Sequence, residues 1–144
     1  MKPLPHCYDV RLTGGPVGHA TLSASGFPDL RSAPPLEYDG PGDAWSPEHL
    51  LLAAVDACFL FTLRAVAKMS KVDFASLELS SEGTVDRVGG ATRFTEIVLR
   101  PRVRLGPGGD RARALWVLEK SKKACLVSAS LSTPVRVEPE FADV

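Results

Sequence analysis

Between Leu50 and Ala67 the chain reads LLLAAVDACFLFTLRAVA, a run broken only by Asp56, Thr62 and Arg64. A helix of this composition has no face at ease in water, so the run predicts burial on all sides. Ser46-Pro47-Glu48 supplies its start. A serine oxygen accepts from orphan backbone N–H groups, proline is tolerated at the first helical position, and a carboxylate suits the positive end of the dipole. The expected helix therefore runs from Ser46 to about Met69. A membrane span is the rival reading. Asp56 and Arg64 would each cost about 2.5–3.5 kcal/mol near a bilayer centre, and no other stretch is membrane-like, so the expectation is a core helix and no membrane.

Size turns this into a statement about assembly. Some 20 apolar helical residues span about 30 Å, comparable to the width of a domain of 144 residues. One chain has difficulty covering such a helix alone, and the expectation is a homodimer whose interface includes it. The length and the 44% hydrophobic content fit a single domain over residues 1–144. A net charge of zero gives no long-range attraction toward nucleic acid or an anionic membrane. Residues 1–10 lack the apolar run of a secretory signal, so the expected compartment is cytoplasmic. Cys7, Cys58 and Cys125 lack metal-type spacing and are expected as thiols. No metal site or cofactor is implied.

Around the central run, Tyr8 to Thr13 alternates as a strand and stops at Gly14-Gly15-Pro16. His19 to Ala24 can return beside it. Phe27 to Tyr38 contains Pro28, Pro34 and Pro35 and is expected as edge strand or extended loop. Leu77 to Val88 and Arg93 to Leu105 alternate on either side of Gly89-Gly90, which predicts a hairpin. Its outward Arg100, Arg102 and Arg104 face Glu78, Glu82 and Asp86, so cross-strand pairing explains them without an anionic ligand. Asp110 caps an amphipathic helix over Arg111 to about Ala124, with Lys120, Lys122 and Lys123 complementing its C-terminal dipole. Pro134 to Phe141 closes the order as a strand. The fold class is α+β: an antiparallel sheet wrapped around a long buried central helix.

A lone buried cysteine is ordinarily a small hydrophobe without chemistry. Here each of the two helices carries one, Cys58 and Cys125, and if the helices pack together a reactive and a resolving sulfur could meet, as peroxide chemistry requires. The segments Ser-Pro-Glu-His-Leu-Leu-Leu-Ala-Ala-Val-Asp-Ala-Cys-Phe (46–59) and Lys-Lys-Ala-Cys-Leu-Val-Ser (122–128) resemble the OsmC/Ohr family of osmotically induced and organic hydroperoxide resistance proteins. That family pairs Asn-Pro-Glu-(Glu/Gln)-Leu and Ala-Cys-Phe on one helix with Cys-Pro-x-Ser after a second. The resemblance implies an OsmC-like intertwined homodimer and a thiol-dependent peroxidase for organic, lipid-type hydroperoxides. By position it makes Cys58 peroxidatic, Cys125 resolving and Glu48 the carboxylate that orients an activating arginine, with a lipoyl-type dithiol as reductant.

Three departures from that pattern bear on activity. The family's N-terminal arginine has no match in Gly14-Gly15-Pro16-Val17-Gly18-His19, which leaves Arg31 as the substrate-binding candidate. Leu126 stands where the motif has proline. Asp56 places an acid two residues before Cys58, where an unpaired carboxylate would raise a thiol pKa. Glu48 lies ten residues, or about 15 Å of helix rise, before Cys58, so it is expected to serve the partner's site. A non-catalytic or redox-sensing binder using the same apolar pocket is the alternative. A hydrolase with Cys58 as nucleophile is weaker, because His49 lies out of phase with it on the helix.

Overall fold

The computed structural model describes residues 1–142. They divide into two compact units, one up to Leu51 and one from Leu52 onward.

In the first unit, β1 (Arg11–Thr13), β2 (Ala20–Ser23) and β3 (Leu30–Ser32) form a three-stranded antiparallel sheet in that order. The expected Tyr8–Thr13 strand is shorter than its alternation suggested, because only Arg11, Leu12 and Thr13 find partners on β2. After β3 the proline-bearing segment makes a 3-10 turn at Leu36–Tyr38. The long helix α1 (Pro47–Ser70) then begins where expected. Ser46 is fully buried, and its Oγ accepts from the His49 N–H at 3.1 Å. The same Oγ lies within hydrogen-bond distance of His49 Nδ1, at 2.6 Å. Ser46 is therefore a working N-cap.

In the second unit, β4 (Phe74–Val88) and β5 (Ala91–Leu105) form the predicted antiparallel hairpin. Gly89 and Gly90 both take positive φ, at 58° and 80°, as a two-residue turn matching the strand twist requires. Helix α2 (Arg111–Ala124) starts at Asp110, whose carboxylate accepts from Ala112 N at 2.9 Å and Arg113 N at 3.2 Å. A single turn, α3 (Leu126–Ala129), follows directly. The closing strand is two pieces, β6 (Val135–Val137) and β7 (Glu140–Phe141), and both pair with β5 in parallel. The α+β class holds. The parallel pairing arises because α2 and α3 carry the chain back along β5 before it re-enters the sheet, as a crossover must.

The core of this unit lies where α1, the inner face of β5 and α2 meet. Val55, Phe59, Leu63, Val66 and Ala67 of α1 pack with Ile97, Leu99 and Val103 of β5 and with Val117 and Leu118 of α2. The α1 positions recur at helical spacing and mark one stripe. Burial on all sides, expected from composition, is not reached within one chain: Phe61 is 60% and Met69 75% exposed. The helix is long and apolar enough to cross a membrane by length and composition, but its buried stripe is occupied by sheet and helix. On the outer face, Arg100 bridges Glu82 at 3.5 Å and Glu138 at 3.3 Å, Arg102 reaches Glu140 at 3.7 Å, and Arg136 pairs with Glu96 and Glu138. Carboxylates thus engage Arg100 and Arg102, but of the expected β4 partners only Glu82 takes part, Glu138 and Glu140 come from the closing segment, and Arg104 has no ion pair among the described residues.

Candidate functional site

Cys58 sits midway along α1, with Thr62 one turn further on the same face. Cys125 is fully buried between α2 and α3, serving as C-cap of the first and N-cap of the second. The fold brings these two thiols together. The groups near the Cys58 sulfur that favour its anion are the Val127 N–H, the Cys125 thiol, the Thr62 hydroxyl and the Leu126 N–H. Burial pushes the Cys58 thiol up, but these four uncharged donors outweigh it and hold the group below the ordinary thiol range. Cys125 shifts the opposite way. Burial raises it, and the adjacent Cys58, which accepts its S–H and presents negative charge, raises it further. The Ser128 hydroxyl, 3.4 Å from the Cys125 sulfur, and the Ser128 N–H oppose this without reversing it. The pair therefore ionises in order, with the anion on Cys58 and the proton on Cys125.

Asp56 belongs to a different face of α1. Its Oδ2 accepts from the Ser81 hydroxyl of β4 at 2.8 Å, while Oδ1 is buried without a hydrogen-bond partner among the described residues. Burial pushes its carboxyl up and the Ser81 bond only partly offsets this. Two residues along a helix turn a side chain by about 200°, so Asp56 and Cys58 point apart. The concern that this acid would burden the thiol loses its geometric basis.

The remaining candidates lie in the first unit. Glu48 occupies the first turn of α1, half-buried, with Oε2 buried and without a hydrogen-bond partner among the described residues. Arg31 is exposed on β3, close enough to Asp43 to help hold that carboxyl down, behind the larger contribution of His19. His19 Nε2 lies 2.7 Å from Asp43 Oδ1. The other two histidines are also engaged within this unit, His6 with the Lys2 carbonyl and His49 with Ser46.

Residues 40–140 match the family described as OsmC-like protein. The chain belongs to the OsmC-like family. Among its relatives are the uncharacterized protein YmaD of Bacillus subtilis, 31% identical over 109 residues covering 74% of this chain and 73% of the relative, and the organic hydroperoxide resistance protein of Xanthomonas axonopodis pv. citri, 32% identical over 117 residues covering 78% of each. The same architecture recurs in an OsmC-like protein of unknown function from Vibrio cholerae, with a TM-score of 0.86 at 16% identity, covering 94% of this chain and 99% of that one. An organic hydroperoxide resistance protein of Legionella pneumophila gives a TM-score of 0.76 at 23% identity, covering 98% and 100%. These two solved structures share the fold.

In this OsmC-like chain, sequence reasoning found both sulfurs but not the donors around them. Thr62 carried a legible signal, a hydroxyl one helical turn after a cysteine. The Leu126 and Val127 donors are backbone groups, which residue identity does not announce. The Ser81 partner of Asp56 required the register of β4 against α1.

Proposed function

We propose that this protein is a thiol-dependent peroxidase that reduces organic hydroperoxides through Cys58 and Cys125. What supports this reading is the juxtaposition of the Cys58 and Cys125 thiols, the first held below and the second above the ordinary thiol range, because a nucleophile must be a thiolate while its resolving partner waits as a thiol. The names of relatives, organic hydroperoxide resistance protein and peroxiredoxin OsmC, support the reaction class. The Cys58 thiolate attacks the distal oxygen of ROOH, the O–O bond breaks, and the leaving alkoxide takes a proton from the Cys125 thiol to depart as ROH. Cys58 is now a sulfenic acid. Its sulfur is attacked by the Cys125 thiolate, the S–O bond breaks, the hydroxide leaves as water after taking a proton from solvent (the equivalent of the one Cys58 released on ionising), and a Cys58–Cys125 disulfide forms. A dithiol of lipoyl type then restores both thiols by exchange.

Glu48 fits the role of orienting an arginine, since its orphaned oxygen awaits a donor, and Arg31 is our candidate for that guanidinium. The exposed Phe61 and Met69 on α1 favour a homodimer that covers the helix and encloses the site. The apolar neighbours of Cys58 suit a greasy hydroperoxide better than hydrogen peroxide. A cytoplasmic location keeps the thiols reduced between cycles.

The test mixes reduced protein with cumene hydroperoxide and counts thiols. Loss of two thiols per chain, prevented by Cys58→Ser, together with repeated turnover on addition of dihydrolipoamide, is the expected result. Thiols that ignore the hydroperoxide overturn the reading. A single oxidation with no turnover in dithiol leaves a redox sensor in its place.

A further inference from the structure

A cavity of about 680 Å³ opens in the second unit between the C-terminal half of α1 and the start of β4, within the size range of small-molecule sites. Its floor is apolar. Leu63 and Ala67 are buried core residues of α1, and Phe74 and Leu77 of β4 pack against that core. Three cations, Arg64, Lys68 and Lys71, line it together with a single carboxylate, Asp73. None of these four has an ion pair among the described residues. Capping does not account for the cations, because three of the last four carbonyls of α1 are already engaged: Ala67 by the Val72 N–H at 3.0 Å, Lys68 by the Lys71 N–H at 3.3 Å, and Ser70 by the Arg113 guanidinium at 2.5 Å. The first two bonds form a Schellman cap with Lys71 in the left-handed region, φ 54°. Glycine takes that conformation without strain, so the cap itself does not call for a lysine.

We propose that this cavity binds the anion of a long-chain carboxylic acid, with the head on Arg64, Lys68 and Lys71 and the tail over Leu63, Ala67, Phe74 and Leu77. Charge selects the head: three cations against one acid favour an anion over a neutral or cationic amphiphile. The apolar floor selects the tail, since a small hydrophilic anion would leave that surface in water. The site is separate from the thiols. Leu60, which also lines the cavity, Leu63, Arg64 and Ala67 lie about 140–240° around α1 from Cys58, on the other side of the helix. The exposed Phe61 and Met69 lie within about 60° of Cys58, so a second copy seated on them approaches from the thiol side.

Calorimetric titration of the full-length protein, in whatever assembly it forms, with monomeric dodecanoate tests this. Saturable binding of one dodecanoate per chain is expected, with dodecanol and dodecyltrimethylammonium weaker by roughly tenfold or more and acetate without measurable binding. Arg64→Gln/Lys68→Gln is expected to weaken dodecanoate roughly tenfold. Asp73→Asn removes the one acid and is expected to tighten it several-fold. Lys120→Gln/Lys123→Gln, on the exposed side of α2, is expected to change nothing. All of these side chains are exposed, so the substitutions leave the core intact. Absence of saturable dodecanoate binding, as when side chains of a second copy fill the cavity, overturns the proposal. So does an equal affinity for dodecanol or the cationic amphiphile, or an affinity that Arg64→Gln/Lys68→Gln leaves unchanged or that Lys120→Gln/Lys123→Gln lowers as much. Should the first double variant fail to fold, the tightening in Asp73→Asn decides alone. No hydroperoxide enters the measurement, so its outcome is independent of the peroxidase reading.

Discussion

Cys58 and Cys125 lie close enough that each shifts the ionisation of the other in the sense opposite to its own, the Cys125 thiol helping to lower Cys58 and Cys58 helping to raise Cys125. Replacing Cys125 by alanine removes that influence and the resolving sulfur together. Oxidation of this variant by one equivalent of cumene hydroperoxide is expected to stop at the sulfenic acid, captured as a dimedone adduct on the peptide containing residue 58. The pH midpoint of Cys58 alkylation by iodoacetamide should also lie above that of the parent. A variant that still loses two thiols, or gives no adduct, would contradict the division of labour between the two cysteines.

Thr62→Val keeps the shape of the side chain and deletes the hydroxyl that reaches Cys58. The expected effect is a several-fold fall in second-order reactivity toward hydroperoxide at pH 7, about 1 kcal/mol of lost anion stabilisation. The loss should shrink as the pH rises past the thiol range, where the thiolate no longer needs the donor. A loss that stays constant with pH would point to altered packing instead.

Asp56 offers a pH test with the opposite sign to a surface carboxylate. Burial, its main influence, raises its pKa in the folded protein. The stability it allows is fully present below the unfolded value of about 3.8 and is lost as pH rises through the raised folded value. Asp56→Asn can still accept from Ser81 and carries no charge. Thermal melts should show it gaining on the parent between acidic and neutral pH, and converging with it near the unfolded value. Parallel curves over that range would exclude a buried charge at this position.

Ser46→Ala removes an N-cap that is fully buried and leaves the His49 N–H without its acceptor. The expected cost is about 1–2 kcal/mol, read as a lowered urea midpoint with an unchanged slope.

Much of the fold was legible because its long elements carry strong periodicities. The hairpin of β4 and β5 follows from alternation and a Gly-Gly turn, and α2 from a cap followed by an apolar stripe. The closing segment was harder. Strands of three and two residues, Val135–Val137 and Glu140–Phe141, carry no pattern that separates parallel from antiparallel, and the preceding crossover decides. Helix α1 was overread in one respect. Composition says what a helix prefers to bury, whereas Phe61 and Met69 show what one chain can cover. At the candidate site both sulfurs were visible from motif spacing, but Leu126 and Val127 contribute through atoms that nearly every residue type possesses, so no letter in the sequence marks them.

Gly83 on β4 is the quietest position in the sheet and has a mechanical consequence. A Cβ placed there would come within 2.6 Å of the Phe94 ring and 2.9 Å of a Leu52 methyl. The absent methyl is what lets the opening of the long helix settle flat upon the hairpin. Enlarging this residue would lever the helix outward like a shim under a beam, and because Cys58 rides the same beam between one and two turns further on, a change with no chemistry of its own would shift the sulfur.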